Sequence, residues 1–377
     1  MKNIFQILLI CLCMISCTKT GLKFKKKNKS TSFVITTPLS AGSRYTCALN
    51  SLGTLKCWGR NNQKQLGLPD TNTDYISPTE VMKGARFSSI SAGYYLTCGI
   101  VYPQKLYCWG SGDIGNGTDE SNSPPVAVNP EESYIDVSVG FYMACAITHK
   151  NQLKCWGTNN DNQLGNGSAN HENRPVHIDV NEKYVKVSSG KYFACALTTS
   201  NKIKCWGKVL GDVSYNTTPQ LISNESFKTL SSGVDHACAV TIDDELKCWG
   251  ENTYYQLGAG SNEYVIYMSP TLIDSHNKYK TVTSAKQHTC AITTNNELKC
   301  WGWNSQGILG DGTEVERYEP TTIDSGVSYI YASALDNHTC ALTTQYQLKC
   351  WGVNSSGELG YTPEDYMEMR SPHLVEF

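Results

Sequence analysis

A pair of cysteines with a fixed internal spacing occurs seven times along this chain of 377 residues. The second cysteine follows the first by ten residues, and Trp-Gly comes directly after it in every copy. The second cysteines are separated by 51, 47, 50, 43, 52 and 50 residues. So regular a period predicts a repeat architecture, in which each copy is one structural unit that packs against the next. The pairs are Cys47 with Cys57, Cys98 with Cys108, Cys145 with Cys155, Cys195 with Cys205, Cys238 with Cys248, Cys290 with Cys300 and Cys340 with Cys350.

Each copy has the pattern of four short β-strands. In the first copy, apolar stretches at residues 39–42, 44–49, 54–58 and 78–82 are separated by turn residues, and none has a helical period. Four short strands in each of several repeats are typical of the blades of a β-propeller. The sequence therefore predicts an all-β fold over residues 33–377, a seven-bladed β-propeller with four antiparallel strands per blade.

The turn between the second and third strands gives a test of register. If Cys47 faces Cys57, residues 51–53 form a three-residue loop, whose last position favours the left-handed region. Five of the seven residues at that position are Gly, Asn or Asp, which tolerate a positive φ. Turn chemistry and cysteine spacing thus predict the same hairpin. The seven residues are Gly53, Gln104, Asn151, Asn201, Asp244, Asn296 and Tyr346.

Every copy ends in a strand that contains proline, and the sequence suggests that the proline begins it. Proline at the start of an outer strand loses no hydrogen-bond donor that the sheet needs. The last of these segments is residues 372–377, and we expect it to lie beside residues 33–39 and close the ring, since open sheet edges favour aggregation. The prolines are Pro78, Pro125, Pro175, Pro219, Pro270, Pro320 and Pro372.

The cysteine count indicates an oxidising compartment. Of 17 cysteines, Cys11, Cys13 and Cys17 lie in the first twenty residues, and the other 14 form the seven pairs with none left over. Even pairing at fixed spacing predicts disulfides, although a small buried thiol is the alternative. Zinc is not expected, because the spacing is not Cys-x-x-Cys and no histidine recurs as a partner of the pairs. We predict no metal site and no cofactor.

Residues 1–17 have the pattern of a lipoprotein signal peptide. A short basic start precedes an apolar run over residues 4–14, which is too short to span a bilayer comfortably. The next residues, Met-Ile-Ser-Cys at 14–17, resemble a bacterial lipobox, which implies cleavage before Cys17 and lipidation of its thiol. An ordinary signal peptide that is cut nearby is the alternative. We expect a membrane-anchored protein of the bacterial cell envelope, with the outer membrane favoured, or a secreted protein.

Charge bears on two further points. Residues 18–32 carry six lysines and almost nothing apolar, which predicts a solvated tether between the anchor and the propeller. A tether that contacts anionic lipid headgroups is the alternative, at about 1 kcal/mol per lysine near the surface. The whole chain has a formal net charge of −2, which gives no general attraction to nucleic acid, so no nucleic-acid partner is expected.

Three segments resemble a known repeat. Residues 337–342, 348–360 and 288–310 look like the repeat of the regulator-of-chromosome-condensation family. The likeness extends over about residues 35–377, because several fixed offsets recur in all seven copies. The family forms seven-bladed β-propellers, so the resemblance implies this fold. The paired cysteines resemble those of its bacterial extracytoplasmic members.

The sequence nominates no catalytic residue. It contains no Gly-x-Ser-x-Gly, no phosphate-binding loop with Gly-Lys-Ser/Thr and no His-Glu-x-x-His, so we predict that the protein is not an enzyme. Three histidines share one repeat position, two residues before the first cysteine, where three other copies have an apolar residue. We predict a structural role for them, with a metal bridging adjacent blades as the alternative. They are His236, His288 and His338, and the other copies have Tyr45, Leu96, Met143 and Phe193.

The irregular copies are the best candidates for partner recognition. Five copies keep a nine-residue loop, from Gly to Gly, after the third strand, whereas copies two and four shorten it to Gly110–Gly115 and Gly207–Gly211. The fifth copy is rich in tyrosine, which supplies contact area at low entropy cost. Packing between neighbouring blades is the alternative. The predicted partner-binding residues are Tyr254, Tyr255, Tyr264 and Tyr267.

These observations favour a non-catalytic binding protein. We expect a monomeric cell-envelope lipoprotein whose propeller binds an envelope or extracellular protein or glycan, by analogy with the secreted β-lactamase-inhibitor proteins of similar fold. The family resemblance implies an alternative, guanine-nucleotide exchange on a small GTPase, which is the activity of the family's eukaryotic founder. An export signal would separate the chain from cytosolic GTPases. An enzyme built on the propeller face is a third possibility, for which the sequence nominates no residues.

Overall fold

The computed structural model describes residues 22–23, 33–70, 73–118, 123–208, 216–260, 265–364 and 366–377. Within these ranges, seven four-stranded antiparallel sheets form the blades of a propeller, which confirms the predicted fold. A short pairing of Leu22–Lys23 with Val34–Ile35 precedes the first blade, and Ser305–Gly307 is a single turn of 3₁₀ helix. No helix in the described part of the chain is long and apolar enough to cross a membrane.

The four strands of each blade follow one another in the chain, and we number the blades in the same order. The first strands line the central channel. They are Leu39–Gly42, Phe87–Ala92, Tyr134–Val139, Tyr184–Ser189, Phe227–Ser232, Tyr279–Ser284 and Tyr329–Leu335. The second strands are Tyr45–Leu49, Leu96–Val101, Met143–Thr148, Phe193–Thr198, His236–Thr241, His288–Thr293 and His338–Thr343.

The third strands carry the second cysteine of each pair, and the fourth strands form the outer edge. The third strands are Leu55–Gly59, Lys105–Gly110, Leu153–Gly157, Ile203–Gly207, Leu246–Glu251, Leu298–Gly302 and Leu348–Val353. The fourth strands are Tyr75–Glu80, Ser123–Ala127, Glu172–Ile178, Asn216–Leu221, Ile266–Leu272, Arg317–Ile323 and Glu368–Val375.

The hairpin between the second and third strands has the predicted register. Cys47 lies opposite Cys57 and their sulfur atoms are joined. The other six pairs repeat this register and this bond, and the Cα–Cα distances of all seven are 4.0–4.1 Å. These six are Cys98 with Cys108, Cys145 with Cys155, Cys195 with Cys205, Cys238 with Cys248, Cys290 with Cys300 and Cys340 with Cys350.

The loop that closes this hairpin has the predicted backbone conformation. Its last residue has a positive φ in every copy, including Gln104 at 72° and Tyr346 at 62°. Neither glutamine nor tyrosine favours the left-handed region. The strand pairing therefore imposes this conformation even where the residue type does not favour it.

The predicted position of the prolines is wrong. Pro78 lies inside the strand Tyr75–Glu80, and the fourth strands begin two to four residues before their prolines. Between the pairs Cys57↔Thr79 and Gly59↔Tyr75 the register shifts, so the proline falls in a bulge, and the other six copies repeat this arrangement. A bulge leaves one residue out of the ladder, so the missing N–H of proline costs no hydrogen bond there.

The predicted pairing of the chain ends is also wrong. The last strand pairs within its own blade, with Val375 opposite Leu348. The backbone N–H of Thr36 donates to the carbonyl of Ser88 at 2.7 Å, so the segment before the first blade runs beside blade two instead. Because each blade is complete in four consecutive strands, the ring closes by contacts between blade seven and blade one.

The hydrophobic core is divided among the junctions between blades. At the junction of blades three and four, Met143 and Leu153 pack with Tyr184, Ala194 and Trp206. The seven tryptophans that follow the second cysteines are almost completely buried, as this arrangement requires. Each junction thus removes a large aromatic surface from water, which is the main source of stability in a stacked repeat.

Candidate binding surface

The three repeated histidines join neighbouring blades. The Nε2 atoms of His236, His288 and His338 lie 2.8–2.9 Å from the Oγ1 of a threonine in the next blade. Each threonine hydroxyl donates its own hydrogen to a backbone carbonyl, so it accepts from a protonated Nε2. Burial lowers the pKa of His236 and His288 to about 3 and that of His338 to about 4, which keeps the rings neutral. The described residues contain no group of three potential metal ligands.

All seven junctions match the polarity of the two residues that meet. Tyr45 takes the place of histidine in blade one, and its hydroxyl lies 2.8 Å from Thr97 Oγ1. Where the threonine is replaced by alanine, the preceding blade offers an apolar side chain from the same core cluster. The polar pairs are Tyr45–Thr97, His236–Thr289, His288–Thr339 and His338–Thr46, and the apolar pairs are Leu96–Ala144, Met143–Ala194 and Phe193–Ala237.

The nine-residue loops after the third strands are held by the following blade. In blade one, the side-chain oxygen of Asn61 accepts from the Leu66 amide at 3.1 Å. The carbonyl of Gln65 then accepts from Thr97 Oγ1 at 2.7 Å and from Trp109 Nε1 at 3.0 Å, both in blade two. A full-length loop therefore covers the junction and satisfies the indole N–H beneath it.

The short loop of blade two does not provide this hydrogen bond. Gly110–Gly115 has three residues fewer than the nine-residue loops. The indole N–H of Trp156, which lies against Gly115, is buried and makes no hydrogen bond within the part of the chain described. The shorter loop therefore leaves the indole N–H at the junction of blades two and three without the carbonyl that a full-length loop supplies.

The turns between the first and second strands surround one mouth of the central channel. They are joined by backbone hydrogen bonds, in which Tyr94 N–H donates to Gly140 and Phe141 N–H donates to Gly190. The third strand runs parallel to the first, so the loops after the third strands reach the same face. Blades two, three and four carry aromatic residues in these turns, and the other blades carry mostly charged or polar ones. We call Tyr94, Tyr95, Phe141, Tyr142 and Tyr192 the aromatic rim.

The aromatic rim is fixed by ring contacts. Tyr94 stacks on Phe141 with centroids 5.1 Å apart and contacts Tyr95 edge to face at 4.4 Å. The ammonium of Lys191 lies 5.7 Å from the Phe141 centroid and 4.5 Å from that of Tyr192. The rim is therefore a packed aromatic surface whose outer edge already bears a cation.

A pocket of about 150 Å³ opens beside the aromatic rim, at the short loop of blade two. Its lining combines aromatic side chains with residues that carry hydroxyl and carboxylate groups. Asp113 is mostly buried there and lies 2.9 Å from Nε2 of His171. The pocket is lined by Tyr95, Leu96, Ser111, Gly112, Asp113, Phe141, Tyr142 and Thr158.

Sequence analysis missed this surface, although a signal was present. Gly-Tyr-Tyr at 93–95, Gly-Phe-Tyr at 140–142 and Gly-Lys-Tyr at 190–192 occupy one repeat position in three consecutive copies. The first two flank the short loop Gly110–Gly115. Comparison of neighbouring copies at this position, rather than a count of tyrosines, would have identified the rim.

Of the tyrosines predicted from the fifth copy, the three that the structure describes are each partly buried. Tyr254 contacts Trp303 edge to face at 5.4 Å, and Tyr255 contacts Tyr318 at 4.3 Å, so both pack against blade six. Tyr267 is half-buried beside the core of blade five. Tyr264 lies outside the described residues. A binding role for these four residues stays a prediction.

The predicted anchor also lies outside the described residues. The structure describes Leu22–Lys23 and then residues 33 onward, and these ranges exclude Cys17, the signal peptide over residues 1–17 and most of the tether over residues 18–32. Cleavage and lipidation at Cys17 therefore stay predictions.

Comparison with known proteins agrees with the fold and the repeat. The model of the RCC1-like domain matches residues 115–377, and two models of the regulator of chromosome condensation (RCC1) repeat match residues 53–100 and 39–65. The ultraviolet-B receptor UVR8 of Arabidopsis thaliana is 34% identical over 80 residues, which are 21% of this chain and 18% of the receptor. The match thus spans about a fifth of the receptor's length.

Two solved structures show the same architecture. Prp20p of Saccharomyces cerevisiae, at 18% identity, superimposes with a TM-score of 0.78 over 87% of each chain. Human WBSCR16, also at 18% identity, superimposes with a TM-score of 0.74, and the match covers 85% of this chain and 93% of the WBSCR16 chain. Identities this low carry the fold and not the function. The RCC1-like domain model matches more than half of this chain, and the chain therefore belongs to the family of proteins with RCC1-like domains.

Proposed function

We propose that this protein is a bacterial cell-envelope lipoprotein that binds a protein or a glycan and catalyses no reaction. The observation that carries the proposal is that the blades around the channel mouth differ in the residues they place there. Seven blades of the same backbone design surround it, yet only three neighbouring blades carry the aromatic rim. Blade two also has a shortened loop beside that rim. A repeated scaffold acquires a specific surface only where its copies differ.

The composition of the rim suits recognition. Tyrosine and other aromatic residues are enriched in interfaces, because they bury a large area at a small loss of side-chain entropy. Tyr142 keeps 48% of its surface exposed although Tyr94 and Phe141 pack next to it. An aromatic side chain that is held in place and still exposed is a good anchor for a partner.

The cysteine pairs support an extracytoplasmic location. All 14 paired cysteines are buried and joined within their hairpins. On the chain-entropy model a disulfide that closes so short a loop contributes roughly 2–3 kcal/mol. Seven such bonds are expected where thiols oxidise, and the lipobox-like residues 14–17 place the proposed anchor at Cys17.

The alternative is guanine-nucleotide exchange, which the family resemblance suggests. The structural report on Prp20p describes its binding to Gsp1p and to histones, and this chain has the same fold. At 18% identity that likeness supports the architecture alone. A small GTPase in the same compartment would also be required.

The test measures retention of the protein by envelope material. The chain without residues 1–17 is exported to the periplasm with a cleavable signal, purified and sedimented with isolated bacterial membranes and with cell-wall sacculi. Changing Tyr94 and Tyr142 to Ser should strongly reduce retention. The control changes Tyr318 and Tyr366, which are 43% and 47% exposed, and should not.

Two further arms separate the competing interpretations. A variant with Ser at Tyr254, Tyr255, Tyr264 and Tyr267 tests the binding residues predicted from the fifth copy. Acceleration of nucleotide release from a small GTPase, with no retention by envelope fractions, would establish exchange instead. Equal retention of the rim variant and the unchanged protein would show that the rim is not the binding surface.

A further inference from the structure

We propose that the pocket between the aromatic rim and the short loop of blade two is a subsite for one neutral sugar ring of a glycan. We call its aromatic lining residues, Tyr95, Phe141 and Tyr142, the walls, and its polar lining residues, among them Asp113, the polar edge. The inference rests on the proposed binding function and deepens it, because it names the class of ligand and the side chains that recognise it.

The size of the pocket suits a single ring. Its volume is about 150 Å³, and cavities of about that volume admit one six-membered ring. The shortened loop Gly110–Gly115 leaves one side open, so the ring can belong to a longer chain that continues over the face of the propeller. Its lining combines three aromatic residues with a few polar ones, a combination that is common in small-ligand sites.

The aromatic walls suit the apolar face of a sugar. The C–H groups on one face of a pyranose ring carry a small positive charge, and the face of an aromatic ring is negative. Tyr94 already stacks on Phe141 at 5.1 Å, and Phe141 contacts Tyr142 edge to face at 6.3 Å. The walls are therefore ordered before the ligand arrives, which lowers the entropy cost of binding.

The polar edge suits the hydroxyl groups. A carboxylate has about four acceptor positions, so Asp113 can accept from a sugar hydroxyl without giving up His171 at 2.9 Å. Hydrogen bonds to an ionised acceptor are about twice as strong as those between neutral groups. The hydroxyls of Ser111 and Thr158 line the same pocket and can donate or accept.

The charges around the pocket favour a neutral ligand. A cationic ligand on the rim would meet Lys191, whose ammonium already lies 5.7 Å from the Phe141 centroid. An anionic ligand would meet the carboxylate of Asp113 at the edge. A polyhydroxylated ring without charge avoids both repulsions and uses both the aromatic walls and the carboxylate.

The test uses the chain without residues 1–17 and an array of neutral hexose and N-acetylhexosamine oligosaccharides, followed by titration calorimetry with the strongest binder. Tyr142→Ala removes a wall and Asp113→Asn removes the charge at constant size. We expect each change to weaken binding by about tenfold or more. The matched control is Tyr366→Ala, a tyrosine of blade seven that is 47% exposed, as against 48% for Tyr142, and lies outside both the rim and the pocket lining. It should leave the affinity within about twofold.

A second design covers the case in which a wall variant fails to fold. Ser111→Trp fills the pocket from the loop, removes no wall residue and should abolish binding while the melting curve stays unchanged. The inference is overturned if no neutral oligosaccharide binds, or if binding survives Tyr142→Ala, Asp113→Asn and Ser111→Trp. Retention by envelope proteins through the rim, without any glycan binding, would reject the sugar subsite and leave the proposed function standing.

Discussion

The imidazole Nε2 of His338 lies 2.9 Å from Oγ1 of Thr46, a residue 292 positions earlier in the chain. This hydrogen bond joins the last blade to the first. The Thr46 hydroxyl also donates to the carbonyl of Glu358 at 2.8 Å, and Trp58 Nε1 donates to the same carbonyl at 3.0 Å. The first and last blades therefore meet through the same contacts that join blades six and seven.

The pairing of His338 with Thr46 can be measured by a double-mutant cycle. Thr46→Ala leaves a buried Nε2–H without its acceptor, which should lower the free energy of unfolding by about 1–3 kcal/mol. Adding His338→Leu reproduces the apolar pair Leu96–Ala144 and should recover part of the loss. We expect a coupling energy of about 0.5–3 kcal/mol from urea denaturation of the four proteins.

The reverse exchange gives the matched control for this cycle. Leu96→His places an imidazole N–H against Ala144, whose methyl group cannot accept it, in the core cluster that these two residues share. This variant should be less stable than the unchanged protein. If the losses in free energy of unfolding from Thr46→Ala and His338→Leu simply add, the polarity of these two residues is not matched for stability.

A buried carboxyl group at the same junction should make stability depend on pH. Burial raises the pKa of Glu358 from 4.5 to about 7. Between these values the folded state holds a proton that the unfolded state has lost, so the free energy of unfolding falls as the pH rises through this range and levels off above it. Gln occupies the same position in blades one, three and five, as Gln65, Gln163 and Gln256.

Glu358→Gln should therefore stabilise the protein above pH 7, by at most about 3 kcal/mol, and have little effect near pH 4.5. The amide oxygen can still accept from the backbone N–H of Ser356, as the carboxylate does at 2.6 Å. Thermal melts of both proteins from pH 4.5 to 8.5 give the difference. An equal shift in melting temperature at both ends of the range would contradict the argument.

Each cysteine pair should be a disulfide in the exported protein. Alkylation of periplasmic material without a reductant, followed by mass spectrometry, should label none of the 14 paired cysteines. Reduction before alkylation is the control and should label all of them. Recovery of most of the 14 as free thiols would remove the support for an oxidising compartment.

Cys17→Ser should leave the precursor uncleaved or release the protein from the membrane fraction. Acyl chains anchor a protein by burying methylene groups, at about 0.8 kcal/mol each, and stable attachment needs two or more chains. Metabolic labelling with a fatty acid and membrane fractionation measure the effect, and Cys13→Ser is the matched control. Normal maturation and fractionation of Cys17→Ser would reject the lipoprotein prediction.

Deletion of residues 372–377 should lower the melting temperature by several degrees or more. The reason is the place of this segment within blade seven, where Val375 is buried opposite Leu348 and lies near Trp58 of blade one. A deletion of only Glu376 and Phe377, beyond the last strand, is the control. An unchanged melting curve for the longer deletion would show that half of the outer strand is dispensable.

The blade design could be predicted because its signals are local. The ten-residue spacing of Cys47 and Cys57 and the turn residue Gly53 both belong to one hairpin, so the sequence alone determines their register. The bulge at Pro78 could not be predicted in the same way, because a proline excludes a ladder hydrogen bond but does not show on which side the strand begins. The predicted pairing of residues 372–377 failed because it assumed that the last blade shares strands from both parts of the chain, whereas blade seven is complete in four consecutive strands.

The candidate surface was harder to predict because it depends on neighbours in space. A tyrosine count draws attention to Tyr254 and Tyr255, but it does not show that their rings contact blade six. Tyr142 is exposed beside the short loop Gly110–Gly115, a neighbour that is distant in the sequence. To find contacts between blades, one repeat position of a blade has to be compared with a different repeat position of the next blade. The same comparison reveals the match of His338 with Thr46.

The matched junctions limit how this ring could have grown. Blades one, six and seven contact the preceding blade through a threonine and the following blade through a histidine or tyrosine. Blades three and four contact the preceding blade through an alanine and the following blade through an apolar side chain. Blades two and five are adapters between the two types, one in each direction. A blade whose two junctions are of the same type can be duplicated without creating a mismatched junction. Loss of blade two or of blade five alone would create one, so the two could be lost only together.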